Sequence, residues 1–284
     1  MAKIYDALRK AETERQRKTG AAGTTDTVER LDWEPERDDV GVPPGPAKRT
    51  SDRLTGQRQP SSEGGGDINR RRISLLQPNS YVAEQFRALR GRIDALGSEG
   101  KLRSIMVSSA MPGEGKTTAA VNLGIVTGLS LDRRVLLVDC DLRRPAIHRA
   151  FGIQPATGLA EVLDGKADPE QAIVRVEGAN LDVLPVRGRP QNPSELLGSP
   201  RMVEMMKNLE TRYDRIFLDT PAALGLPDAR SVSEICDGVV LVVRAGRTRQ
   251  EDAETVLEVL GRQRVLGIVL NGAEIDQARY GYSG

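Results

Sequence analysis

The sequence predicts an α/β domain with a doubly wound, mostly parallel sheet that helices cover on both faces. Six short, continuous, β-branched apolar runs are typical of strands buried on both faces, and they lie at residues 104–109, 135–138, 181–185, 216–218, 238–243 and 265–270. Helical patterns separate these runs at residues 80–97, 116–130, 200–211, 229–236 and 250–262. Because ligands bind outside the carboxyl ends of strands in such sheets, we expect the residues just after each strand to carry the chemistry.

The chain before residue 73 has a different composition. Ile4, Ala7, Leu8 and Ala11 recur at helical spacing, which predicts an amphipathic docking helix over residues 1–19, with a frayed terminus as the alternative. Residues 20–72 are poor in large apolar side chains and rich in Gly and Pro, which predicts a disordered linker. The expected organisation is completed by a folded domain and a C-terminal tail, over residues 73–270 and 271–284.

Charge and cysteine content exclude several classes of protein. The 284 residues hold 41 Lys plus Arg against 40 Asp plus Glu, and a net charge of +1 argues against a dedicated nucleic-acid binder. Cys140, Cys236 and the single His148 cannot form a zinc site or a disulfide framework, which fits a reducing cytoplasm. The uncharged run from Thr117 to Leu131 is shorter than the about 18 to 20 apolar residues that span a bilayer. Charges near Met1 also interrupt any signal-peptide core, so we expect a cytoplasmic protein.

The first predicted strand leads into a phosphate-binding loop. Its sequence is Ala-Met-Pro-Gly-Glu-Gly-Lys-Thr-Thr over residues 110–118, and a helix follows. Glycines let successive N–H groups face one anion, and the helix adds the positive end of its dipole. Lys116 would reach the β- and γ-phosphates of ATP, while the Thr117 hydroxyl would ligate Mg²⁺. The expected nucleotide-binding residues are Pro112, Gly113, Glu114, Gly115, Lys116, Thr117 and Thr118.

Two carboxylates end the second predicted strand. In an extended chain Asp139 and Asp141 project to the same face, while Cys140 points away and is expected to be structural. Beside a phosphate-binding loop, such a pair predicts a centre for metal binding and proton transfer. The alternative is that one of the two aspartates caps the next helix.

Single polar residues follow two further strands. Asp219 directly follows the run at residues 216–218, as the aspartate of a Walker B strand does, and it would hold Mg²⁺ directly or through water. Asn271 follows the last strand and either contacts the nucleotide base or serves as a turn residue before Gly272. We expect Asp228 to cap a helix and His148 to be a half-exposed helix residue.

Together, residues 110–118, 135–143 and 216–221 resemble the Walker A, A′ and B motifs of the bacterial protein-tyrosine kinases. Glu84, Arg87 and Arg90 are similar to the E-x-x-R-x-x-R helix through which that family assembles into homo-oligomeric rings. Tyr280 and Tyr282 resemble the family's C-terminal phosphoacceptor cluster, although two tyrosines make it sparse. The resemblance covers residues 73–284 and implies a P-loop NTPase fold.

The resemblance also implies an activity, namely an ATP-dependent autokinase that phosphorylates tail tyrosines in trans. It implies ATP and Mg²⁺ as cofactors and assigns catalysis to Lys116, Asp139, Asp141 and Asp219. The metal would be held by Thr117, Asp141 and Asp219. Asp139 is the candidate base for the phenol, whose pKa near 10 requires help at neutral pH, but the sequence does not decide which of the paired aspartates is base and which is ligand.

The family resemblance further implies a setting and a partner. Such kinases act in capsule or exopolysaccharide synthesis and export with a transmembrane chain-length-determinant protein, also called a polysaccharide co-polymerase. The partner would bring this chain to the inner face of the plasma membrane. Residues 1–12 are similar to the opening of a stand-alone subgroup found with exosortase-type export systems.

Two other functions fit parts of the sequence. Positioning ATPases of cell division and plasmid partition share the fold, but they resemble one another in a second lysine five residues before the P-loop lysine, where this chain has Met111. A catalytically silent scaffold that binds ATP only to hold an export complex together would retain every motif residue.

Overall fold

The structure is a computed structural model and describes residues 72–97, 102–130 and 133–273. The expected docking helix, nearly all of the expected linker and the tail tyrosines Tyr280 and Tyr282 lie outside the described residues. No helix within the described ranges is both long and apolar enough to cross a bilayer.

The described residues form alternating strands and helices. In chain order they are α1 (Ile73–Leu76), α2 (Tyr81–Leu96), β1 (Ser104–Ser109), α3 (Lys116–Gly128), β2 (Val135–Asp139), α4 (Ile147–Phe151), α5 (Leu159–Leu163), α6 (Pro169–Ala172), β3 (Val174–Val176), β4 (Leu181–Leu184), α7 (Pro193–Leu197), α8 (Pro200–Arg212), β5 (Arg215–Asp219), α9 (Asp228–Ile235), β6 (Gly238–Arg244), α10 (Gln250–Leu260) and β7 (Val265–Asn271). A short 3₁₀ helix, Arg262–Arg264, precedes β7.

Within the described ranges, seven strands form one sheet in the order β3-β4-β2-β5-β1-β6-β7. All neighbouring pairs are parallel except β3 with β4. Alternate residues of β1 enter two separate apolar cores, Met106 on one face and Ile105 and Val107 on the other. The sheet is therefore buried on both faces, and the prediction of a mostly parallel α/β fold is confirmed.

The six predicted strands are all present, with bounds that differ by at most one residue at either end. The edge strand β3 was not predicted, because three residues with a half-exposed Val174 and an exposed Arg175 give no apolar run. Helices α4 to α7 were also missed, since four or five residues are too few to show helical periodicity. The last strand extends to Asn271, one residue past the expected end of the folded domain at residue 270.

Helix α2 is fixed to the sheet by an ion-pair cluster. Asp94 accepts hydrogen bonds from Arg133 at 2.6 Å and from Arg215 at 2.9 Å. Arg215 is buried at the start of β5, and Arg133 lies just before β2. One carboxylate thus ties α2 to the amino ends of two central strands, at the opposite end of the sheet from the P-loop.

Candidate active site

The carboxyl ends of five adjacent strands converge on one cavity. The sheet order places the ends of β2, β5, β1, β6 and β7 side by side. A cavity of about 620 Å³ lies over them and is lined by P-loop residues, by Asp141, by residues that follow β5 and by the last residues of β6 and β7. The cavity therefore lies at the carboxyl ends of the strands, where the sequence predicts the chemistry.

The P-loop has the backbone conformation that its glycines permit. Gly113 and Gly115 have φ values of 81° and 101°, a region that other residues rarely adopt. A side chain at position 115 would also collide with the Asn271 amide. Helix α3 begins directly at Lys116, so its unsatisfied N–H groups point into the cavity. The loop is therefore built to bind an anion.

Lys116 lies against the carboxylates that follow β2 and β5. Its Nζ is 3.1 Å from Asp141 Oδ2, and the two side chains are only 13% and 7% exposed. Burial by itself lowers the pKa of Lys116, but the carboxylates of Asp219, Asp141 and Asp139 outweigh burial and raise it. The lysine is therefore a fixed positive charge at the mouth of the P-loop.

Asp139 and Asp219 are direct neighbours across strands β2 and β5, and both are fully buried. Asp139 Oδ2 accepts the backbone N–H groups of Ala146 and Ile147, each at 3.0 Å, and its Oδ1 accepts that of Asp141 at 3.2 Å. Burial and the charge of Asp219 raise the pKa of Asp139 to about 8 despite these donors. Asp139 thus accepts two N–H groups at the start of α4, although the N-cap residue of that helix is Ala146.

Asp141 has a different environment from Asp139. Its Oδ1 accepts the backbone N–H of Arg144 at 2.9 Å, while its Oδ2 faces Lys116 and the cavity. Of the two aspartates, Asp141 is therefore the one that a bound molecule can reach.

The donor set suits Mg²⁺ bound together with phosphates. The half-buried Thr117 and Thr118 line the cavity together with Asp141, and hydroxyl and carboxylate oxygens are ligands that Mg²⁺ prefers. Within the described ranges no three His, Cys, Asp or Glu side chains form a ready-made metal cage. Mg²⁺ usually binds to one or two carboxylates and completes its coordination shell with phosphate oxygens and water.

Asn271 and Glu114 connect the P-loop to neighbouring strands. The Asn271 amide donates to the Glu114 carbonyl at 2.8 Å. The side chain of Glu114 does not line the cavity: it is fully buried beneath the loop, where Oε2 accepts the N–H of Met111 at 2.9 Å and Oε1 accepts the Thr248 hydroxyl. Both residues belong to the site, and Glu114 contributes by shaping the loop.

Arginine residues around the cavity escaped the sequence prediction. Arg143, Arg144, Arg149 and Arg244 all line it. Arg143 Nε donates to Asp228 Oδ2 at 2.7 Å, and its Nη2 donates to Ser194 Oγ at 2.9 Å. The signal for Arg244 was available, since it ends a strand at the same edge of the sheet.

The prediction for Asp228 was wrong. This residue begins α9 but makes no capping hydrogen bond, and its buried carboxylate instead pairs with Arg143 and accepts from the Ser194 hydroxyl. His148 is a half-exposed residue of α4 as predicted, and burial together with Arg149 lowers its pKa. Burial raises the pKa of the Cys140 thiol well above its usual value, in keeping with a structural role.

Glu84, Arg87 and Arg90 lie together on α2, away from the cavity. Arg87 pairs with Glu84 and donates to the Pro78 carbonyl. Arg90 donates to the Val126 carbonyl at 2.6 Å, which covers an orphan group in the last turn of α3. Each arginine therefore has a partner within its own chain, and a contact with a second chain stays a prediction.

The strand order, the P-loop and the carboxylates on β2 and β5 define a P-loop nucleotide-binding protein. A family model described as an AAA domain matches residues 102–262. The tyrosine-protein kinase YwqD of Bacillus subtilis (strain 168) is 37% identical over 223 residues, which cover 78% of this chain and 94% of that protein. The kinase domain of the Escherichia coli tyrosine kinase ETK superposes with a TM-score of 0.67 at 29% identity, covering 82% of this chain and 88% of that one.

Longer proteins are similar as well. The succinoglycan biosynthesis transport protein ExoP of Rhizobium meliloti (strain 1021) is 32% identical over 211 residues, and the chain spans 27% of its length. These matches show that the chain belongs to the bacterial protein-tyrosine kinase family. It is a tyrosine-protein kinase. These relatives do not favour the alternative function of a positioning ATPase.

Proposed function

We propose that the protein transfers the γ-phosphoryl group of ATP to Tyr280 and Tyr282 of a neighbouring copy of the chain. The observation that carries this proposal is the placement of Lys116 between the P-loop and three carboxylates at the carboxyl ends of β2 and β5. A nucleotide in the cavity would bring its β- and γ-phosphates to this lysine.

The chain's own residues would neutralise and orient the transferred group. The ammonium of Lys116, which lies 3.1 Å from Asp141 Oδ2, would turn from that carboxylate to the phosphates when a nucleotide binds. Thr117 would hold Mg²⁺ directly and the fully buried Asp219 would hold it through water, and the metal would further neutralise the phosphate charge when it is bound. The backbone N–H groups of the loop would fix the β-phosphate.

The geometry favours Asp141 over Asp139 for contact with the tyrosine hydroxyl. From the sequence, Asp139 is the candidate base. However, both of its carboxylate oxygens accept hydrogen bonds from backbone N–H groups, and none of its surface is exposed. Asp141 faces the cavity and keeps one oxygen free of backbone donors. In this proposal Asp139 positions Asp141 by accepting its N–H, and Asp141 approaches the phenol.

Asn271 would select the base of the nucleotide. Its amide donates one of two N–H groups to the Glu114 carbonyl, which leaves the amide oxygen and the second N–H for a base. The amide oxygen suits the exocyclic amine of adenine. ATP is the nucleotide we propose.

Incubation of the pure protein with ATP and MgCl₂, followed by detection of phosphotyrosine, tests the transfer. Tyr280→Phe/Tyr282→Phe protein should lose the signal yet still phosphorylate a Lys116→Met chain that keeps its tail. Phosphotyrosine in the Lys116→Met chain under those conditions proves transfer between chains. ATP binding without any phosphotyrosine would instead support the scaffold alternative.

We propose that this activity serves exopolysaccharide or capsule export. Support comes from ExoP, whose name places it in succinoglycan biosynthesis transport. The partner would be a transmembrane co-polymerase that holds the kinase at the inner face of the plasma membrane, with residues 1–19 as the docking segment. A chain that begins near residue 70 should keep its kinase activity and lose co-purification with that partner, whereas undiminished co-purification contradicts the docking role. Membership of the exosortase-associated subgroup stays a prediction.

A further inference from the structure

The P-loop is held from its outer side by contacts that involve no nucleotide. Its central residue, Glu114, is a fully buried carboxylate, and no ion pair with it occurs in the described part of the chain. Its two oxygens accept hydrogen bonds from different places: Oε2 from the N–H of Met111 within the loop, and Oε1 from the hydroxyl of Thr248 after β6. A buried charge depends on such donors, because water cannot replace them.

The Thr248 hydroxyl is itself fixed by the turn that follows β6. Its oxygen accepts the N–H of Arg244 at 2.8 Å, so its single hydrogen is available to Glu114. The Thr248 N–H closes the same turn on the Arg244 carbonyl at 3.0 Å, and Gly246 provides the positive φ of 68° that the turn requires. The donor is thus pre-oriented before any ligand arrives.

The same turn contacts the loop at a second point. Arg244 Nη1 donates to the Gly113 carbonyl at 3.2 Å. Together with the bond from Asn271 to the Glu114 carbonyl, these contacts turn loop carbonyls outward. When carbonyls point outward, the intervening N–H groups are left to face the anion.

We propose that Thr248 is a positioning residue of the nucleotide site. By holding the Glu114 carboxylate, its hydroxyl keeps the P-loop in the anion-binding conformation. No part of the binding free energy of the nucleotide is then lost in ordering the loop. The proposal rests on nucleotide binding at the P-loop and is independent of tyrosine transfer.

Calorimetric titration of the full chain with ADP in MgCl₂ tests this role, because it reports the dissociation constant and the number of sites separately. Thr248→Val removes the hydroxyl and should raise the Kd for ADP about tenfold or more, as expected for a lost hydrogen bond to a charged group. Thr248→Ser keeps the hydroxyl and should stay within about threefold of wild type. Thr255→Val is the matched control, since the hydroxyl of this exposed α10 residue bonds only to the Glu251 carbonyl.

Three results overturn the proposal. They are an unchanged Kd in Thr248→Val, a Thr248→Ser variant as weak as Thr248→Val, and a reduced number of sites at unchanged Kd, which would assign Thr248 to folding alone. If Thr248→Val binds no ADP at any concentration, Thr248→Ala removes the hydroxyl without a second methyl and decides by the same criteria. Absence of phosphotyrosine in the wild type would refute the proposed transfer but leave these comparisons valid.

Discussion

Replacing Lys116 by Met separates the electrostatic role of this residue in folding from its role in phosphoryl transfer. Its ammonium lies 3.1 Å from Asp141 Oδ2, in surroundings that also hold the buried Asp139 and Asp219. Removing one partner of a buried ion pair costs about 3–5 kcal/mol, but a carboxylate left alone can take up a proton. We therefore expect Lys116→Met to lose about 2 kcal/mol of stability, which corresponds to about 4–8 °C in the melting temperature of a domain of this size.

The double variant Lys116→Met/Asp141→Asn provides the control. It removes both charges of the pair, so its melting temperature should recover most of the loss, while both variants should lose tyrosine phosphorylation by at least about 10³-fold. Calorimetric scans of nucleotide-free protein and anti-phosphotyrosine assays give the two measurements. A Lys116→Met protein as stable as wild type would refute the electrostatic reasoning, and retained autokinase activity would refute the site assignment.

Three further predictions concern other parts of the chain. Changing Arg87 and Arg90 to Ala should shift unphosphorylated protein toward smaller species in light scattering, with Lys207→Ala on the exposed face of α8 as a control. Phosphorylation of Tyr280 and Tyr282, which adds about −1.5 to −2 charges each, should repel the tail from Asp141 and from the phosphates of a bound nucleotide and dissociate the oligomer, so the double Phe variant should stay assembled in ATP. Because the pKa of Asp139 is raised to about 8, the native state binds more protons than the unfolded chain between about pH 4 and pH 8, and nucleotide-free protein should lose stability as pH rises through that window.

Each of these predictions has an outcome that contradicts it. An unchanged mass distribution would show that the two arginines have no role in assembly beyond their intrachain bonds with Glu84, Pro78 and Val126. Equal dissociation of wild-type and Phe-substituted chains in ATP would show that phosphorylation of the tail does not control assembly. A melting temperature in Asp139→Asn protein with the same pH dependence as wild type would show that another group titrates.

The sequence was sufficient for six of the seven strands of the described sheet and for the residues that end or follow them. Continuous apolar runs identify buried parallel strands. Gly113, Gly115 and Lys116 specify the P-loop locally, because these residues are close together in the sequence. The division of labour between Asp139 and Asp141 could not be predicted. It depends on the N–H groups of Ala146 and Ile147, which a turn of the chain brings back onto Asp139.

Contacts between distant segments were equally out of reach. Arg143 and Asp228 are 85 positions apart, and Thr248 and Glu114 are 134 apart, so no local pattern links either pair. Asp228 has the type and place of a helix cap, and only the approach of Arg143 and Ser194 determines that its carboxylate is used otherwise.

The position of Asn271 sets how far the tail can travel. It is the last residue of β7 and touches the P-loop, so the tail starts at the wall of the cavity. Tyr280 comes nine positions later, a distance of about 30 Å when extended. A flexible linker of this length would give the phenol a roughly millimolar effective concentration around its own cavity. Any preference for a neighbouring cavity must therefore come from orientation within the assembly, and dilution of the protein should reveal it as a rate that falls with concentration.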